Sequence, residues 1–178
     1  ASVALTGAAF PIGGTINSYN IVAGLSTSIT IGAAGTYTSI TGAGGLFSEI
    51  NANGLTGNTT VNILDASVTE SGAFGLNQIQ SGGCSVSAFT LVIKPDAGVT
   101  TTLTGALNSR ALIRVLSSGV TIDGSNNGST SRNLTMTNAS VTAPTTLLIG
   151  SVGTTPVTNT TVKNSIIING INSATGLV

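Results

Sequence analysis

The residues with the widest chemical reach in this chain are its five carboxylates, Glu49, Asp65, Glu70, Asp96 and Asp123. Two such groups held roughly 5–10 Å apart across a glycosidic bond suffice for hydrolysis. Asp96 and Asp123 are separated by about 27 residues, close to one turn of a solenoid repeat, so a repeating fold would set them on neighbouring turns. A lyase would add a cationic base, for which Lys94, Arg110 and Arg114 are the neighbours in sequence. Against that chemistry stands the local pattern. Asp96 and Asp123 each close a strand-like run, where Asp is an ordinary turn residue. We read them as structural and expect no catalytic, cofactor-binding or metal-binding residues, and no enzyme.

Other chemistries are closed off by composition. The chain has no His and a single Cys84, so a Ser-His-Asp or Cys-His centre cannot be assembled, nor the usual zinc, haem or iron–sulfur ligand sets. The Asp-rich calcium repeat of some secreted solenoids is also missing. Five Lys and Arg balance five Asp and Glu, for a net charge of zero. Such a chain cannot build the basic face that nucleic-acid affinity requires. Only 6% of its 178 residues are charged, against about 25% in ordinary domains. Yet 40% are hydrophobic and mean hydropathy is +0.47, which argues against disorder and for one domain. No apolar run is long enough to span a bilayer as a helix. The start, Ala1-Ser2-Val3-Ala4-Leu5, lacks a basic signal region and reads as a processed end or an artificial boundary. The lack of charge favours the cell exterior.

The elements that would position these groups are mostly short strands. From about residue 58 onward, apolar residues alternate with polar ones between Gly, Asn, Asp and Ser turns: Val61–Leu64, Leu91–Lys94, Leu112–Val115, Val120–Asp123 and Leu134–Thr137, with later β-rich runs at Thr146–Ile149, Val162–Lys163 and Ile166–Ile168. Leu91, Leu112 and Leu134 open runs about 21 and 22 residues apart, and Val99, Val120 and Leu147 follow at about 21 and 27. Two interleaved series on one period predict coils of a parallel β-helix with at least two strands each. A hairpin sandwich, the alternative, would show turns every 8–12 residues and usually a core Trp or Tyr.

Within 42–54 the pattern changes: Leu46, Phe47 and Ile50 are spaced for a helix that Asn53-Gly54 would stop. We expect it to cap the open end of the solenoid, ahead of coils over 55–178. Residues 1–41 read as an N-terminal arm or cap strands, or as a first irregular coil; Ala1–Gly14 would alternatively pair with a neighbour by strand addition. Arg114 interrupts an apolar run, with Leu112 and Leu116 on its side and Ile113 and Val115 on the other. A solvated head group is the favoured reading; an exposed apolar flank there would suit another subunit.

Three strings carry a resemblance: Gly35–Phe47, Ile93–Val99 and Val120–Thr135. In this order they resemble the right-handed parallel β-helix regions of large exported, adhesin-like surface proteins of gliding-type Gram-negative bacteria, over about residues 35–178. The resemblance implies a β-helix with an extracellular structural role, and brings no catalytic motif.

Two binding roles follow from the surface. Thr100–Thr102, Thr121, Thr135, Thr137, Thr145, Thr146, Thr158, Thr160 and Thr161 would form outward ladders able to bind ice or carbohydrate, although Thr is also simply a good exposed strand former. The preferred partner is another copy of the chain. A β-helix has unpaired strand edges at both ends, near-zero net charge removes repulsion, and a run ending at Thr175–Val178 would give a head-to-tail contact of the kind that builds filaments.

Overall fold

The computed structural model describes residues 24–80 and 88–171. The expected arm at Ala1–Gly14, Cys84 and the Thr175–Val178 end lie outside these residues. The chain forms β1 (Ser28–Ile31), α1 (Leu46–Asn53), β2 (Thr59–Ile63), β3 (Ser67–Thr69), β4 (Leu91–Pro95), β5 (Thr101–Gly105), β6 (Ala111–Val115), β7 (Val120–Asp123), β8 (Leu134–Asn138), β9 (Thr145–Ile149), β10 (Thr161–Lys163) and β11 (Ser165–Asn169). Every strand pairing among these elements is parallel, in three sheets ordered β1-β2-β4-β7-β10, β11-β8-β5-β3 and β6-β9. This is a parallel β-solenoid of about four turns, the all-β parallel β-helix that the alternating short runs predict.

Its period differs from the expected one. Thr59 stands opposite Leu91, and Leu91 opposite Val120, so one coil takes about 30 residues or more. Leu91, Leu112 and Leu134 are not successive coils: they lie on β4, β6 and β8, one in each sheet. Val99 is at a corner, with Val120 and Leu147 on β7 and β9. The apolar spacing of about 21 residues is thus a step between sides of the solenoid, because a full coil carries three sides.

Parallel pairing in register stacks like residues into columns. Ile29, Val61, Ile93, Ile122 and Val162 follow one another through the first sheet. Val68, Leu103, Met136 and Ile167 do so through the second. Up to Ile122 and Met136 these inward columns belong to the hydrophobic core, with Val162 packed against it. Leu112 departs from the alternation: it lies on Arg114's side of β6 yet is fully buried, because its side chain fills the space over Gly105, where a Cβ would meet it.

The helix begins four residues later than expected, at Leu46. Residues 42–45 form a glycine turn, with Gly45 N–H donating to Gly42 O and Gly44 at φ 64°. Two of the free N–H groups at the start of the helix, those of Leu46 and Phe47, donate to Ser39 O and Ile40 O. Gly54, at φ 68°, closes the helix by donating to Ile50 O. Leu46, Phe47 and Ile50 all face the core. The ladder continues past the helix towards the N-terminus, since β1 pairs with β2. The helix therefore lies inside the first coil, on the third side. There Asn51 bonds Gly75 O and the Asn77 N–H, and adjoining Leu76 bridges to Val115 of β6.

The last coil is dressed differently. Leu103 and Met136 are 2% and 0% exposed, but Ile167, next in the same column, is 49% exposed. Leu103→Ala should therefore cost about 2–5 kcal/mol in equilibrium unfolding, and Ile167→Ala under about 1 kcal/mol. Equal losses would contradict the column.

Candidate functional site

The carboxylates are dispersed around the coils. Glu49, on α1, accepts from Asn53 Nδ2 at 3.1 Å. Tyr37 lies partly buried against the core; burial, and then the Glu49 charge, push its phenol above the ordinary value. Asp65 accepts the Ala33 N–H of the preceding coil at 2.7 Å. Asp96 turns the corner after β4, its own N–H bonded to Ile63 O. Asp96 and Asp123 do not stand directly opposite one another. The β4–β7 register sets Ile93 opposite Ile122, so the next step puts Lys94 opposite Asp123 and carries Asp96 past the strand. Among the described residues no three His, Cys, Asp or Glu side chains cluster as metal ligands.

Glu70 is the carboxylate that sequence reasoning undervalued. It is 1% exposed and its carboxylate accepts four hydrogen bonds from the coil before it. Ile40 N–H reaches Oε1 at 2.8 Å, while Ser39 Oγ, Thr41 N–H and Thr41 Oγ1 reach Oε2 at 2.8, 2.7 and 2.6 Å. No cation forms an ion pair with it among the described residues. Converging donors replace water around the charge, which is how an unpaired buried carboxylate is sustained. The only available hint was Glu following the short run Ser67-Val68-Thr69, where a charge opens no turn.

Asp123 holds the other end of the stack. Its carboxylate meets Lys163 Nζ at 3.1 Å, Asn164 Nδ2 at 2.9 Å and the Ser125 N–H at 3.0 Å. Burial alone would push its carboxyl up; the hydrogen bonds and the Lys163 ammonium outweigh burial and leave it below the ordinary value. The arginines also serve the coils. Arg114 does not simply extend into solvent as favoured above: its Nη2 donates to Gly72 O and Ala73 O, carbonyls of a loop that has no strand partner to offer them. Arg110 and Arg132 reach Ser71 O and Ser165 O in the same manner.

The threonines separate into two groups. Thr101 and Thr146 are buried and bonded to neighbouring coils; Thr100 accepts from Asn133, and Thr158 and Thr160 bond Ser118 and Ser117. Thr121 and Thr161 stand side by side on the first sheet. Thr102, Thr135 and Thr137 are brought together on the outer face of the second sheet, joined there by Ser67, Thr69 and Thr104. The signal for these three was the spelling Ser-Val-Thr, Thr-Leu-Thr, Thr-Met-Thr in β3, β5 and β8, visible only at the true period.

Among the described residues, β10, β11 and β9 are edge strands of the three sheets on one side of the stack. Leu148, Ile149, Ile167, Ile168 and Ile171 are exposed there. Ile149 pairs in register with Val115, which is fully buried. No protein-family model matches the chain, and no curated protein or solved structure is significantly similar to it. No helix among the described residues is long and apolar enough to cross a membrane.

Two outcomes test these assignments. Glu70→Gln must turn an amide N–H₂ towards one of four donors, so stability should fall by about 2–3 kcal/mol, read by denaturant unfolding; an unchanged midpoint would refute the cage. For Asp123, the stabilisation is complete above the ordinary carboxyl value of 3.8 and is lost as pH falls through the lower folded value. Melting temperature should therefore drop on acidification from about pH 5 to about pH 2, and Asp123→Asn should drop less over that range while starting lower at neutral pH.

Proposed function

We propose that the chain is a non-enzymatic structural protein of the cell exterior, a β-helical building block that adds head-to-tail to further copies of itself to form a surface filament. The observation that carries this reading is the contrast along single columns. Positions buried to 0–3% inside the stack are 43% and 49% exposed at Ile149 and Ile167. A further parallel coil would cover those side chains and pair the edges of β9, β10 and β11 at once. A second copy offers β1 on the first side to pair with β10, and the contact joins opposite ends, so it does not close and propagates into a fibre. With five cations against five anions, no net charge opposes it.

Other observations support the same reading. The carboxylates Glu49, Asp65, Glu70 and Asp123 are engaged in bonds that hold coils and corners, as a scaffold requires and as an acid–base pair does not. The resemblance of residues 35–178 to β-helical regions of exported adhesin-like proteins supports an extracellular place and a long, coil-built assembly. Within an adhesin the same end would receive the next coil of a longer polypeptide.

Electron microscopy of the purified protein should show concentration-dependent filaments, with a strand spacing of about 4.8 Å along the axis in fibre diffraction. Ile149→Lys or Ile167→Lys should leave soluble single units with unchanged circular dichroism. Monodisperse monomers of the unaltered chain at high concentration would overturn the proposal.

A further inference from the structure

The outer face of the second sheet carries a two-dimensional array that end-to-end assembly does not use. Register sets Ser67, Thr102 and Thr135 in one row and Thr69, Thr104 and Thr137 in the next. Rows and rungs in such a sheet repeat at about 4.8 Å between strands and about 6.6 Å along them. None of these six hydroxyls makes a hydrogen bond within the described residues, whereas Thr41, Thr56, Thr59, Thr101 and Thr146 all do. The six therefore present unused donors and acceptors to the outside. Five of them are β-branched, with χ1 restricted by the strand, so the array is ordered before anything binds.

The chemistry of the partner follows from what the face lacks. β3, β5 and β8 hold no charged residue and no aromatic ring. The first sheet is different: Val92 interrupts its row of Thr60, Thr121 and Thr161, and beside that row stand Lys94, Asp123 and Lys163, whose hydration shells impose their own order on water. A face without rings offers no stacking platform for sugars. What remains is a rigid grid of hydroxyls with methyl groups between them, which suits a partner that is itself a flat lattice of hydrogen-bonding oxygens. We propose that the Thr69–Thr104–Thr137 face binds ice, its hydroxyls joining the lattice and its methyls seating in the gaps between lattice oxygens.

The test uses the full chain in supercooled buffer, reading thermal hysteresis, crystal shape and inhibition of ice recrystallisation. The unaltered protein should shape crystals and inhibit recrystallisation. Thr104→Lys, at the centre of the array, should reduce that inhibition tenfold or more, as should Thr137→Lys. Thr104→Val, which keeps the branched shape, should lose less. Thr121→Lys on the first sheet should retain full activity, and circular dichroism should be the same for all four variants. Absence of any ice activity in the unaltered chain would overturn the proposal. So would equal losses in Thr104→Lys and Thr121→Lys, or retention on crystalline cellulose or chitin by this face without ice activity.

Discussion

Every described strand in this molecule finds its hydrogen-bond partners in neighbouring coils. That constraint governs the rest. Parallel strands evenly spaced along an axis repeat both their backbone bonds and their side-chain directions, so a position in one coil is answerable to the position about 30 residues away. Core residues consequently form columns, as in Ile29–Val61–Ile93–Ile122. A substitution is felt by the residues above and below before it is felt by sequence neighbours.

The corner after the second sheet shows how strictly the constraint applies. Gly105, Asn138 and Asn169 are equivalent positions in successive coils, and Glu70 stands one coil earlier, its N–H on Thr104 O. One column thus holds a buried carboxylate, a glycine and two carboxamides. Glu70 gathers donors from residues 39–41. Gly105 has no room for a side chain, since a Cβ would come 2.7 Å from Glu70 O. Asn138 does the opposite of Glu70 and satisfies both kinds of group: its Nδ2 donates to Leu107 O and Thr145 O while its Oδ1 accepts the Leu107 N–H. Asn169 repeats the device, donating to Pro144 O. Where a chain turns sharply, backbone groups lose their ladder partners, and buried polar side chains must supply them. Specificity of the coil geometry resides in these corners as much as in the aliphatic columns.

The same constraint explains what was readable from sequence. Strands were legible because alternation is local: Leu91–Lys94 and Leu134–Thr137 declare an inner and an outer face within four residues. The helix was legible because Leu46, Phe47 and Ile50 lie within a turn and a half. The period was not, because three sides of one coil carry similar apolar runs, and the step from Leu91 to Leu112 looks like a repeat without being one. Glu70 was not legible because its donors come from residues 39–41 in another coil. The burial of Leu112 was not legible because it depends on an absent side chain at Gly105.

Low charge acquires a structural meaning from this organisation. In-register stacking sets like residues side by side, so a charge repeated in every coil would face its own kind about 4.8 Å away. Two remedies are open to such a column: alternate the sign, or remove the charge. The outer row of the first sheet alternates, with Asp123 set against Lys163 and the register placing Lys94 on its other side. The second sheet removes it, leaving hydroxyls throughout β3, β5 and β8. Arg110, Arg114 and Arg132 spend their charge on carbonyls of neighbouring coils. A solenoid built this way has few charges because stacking leaves few places for them.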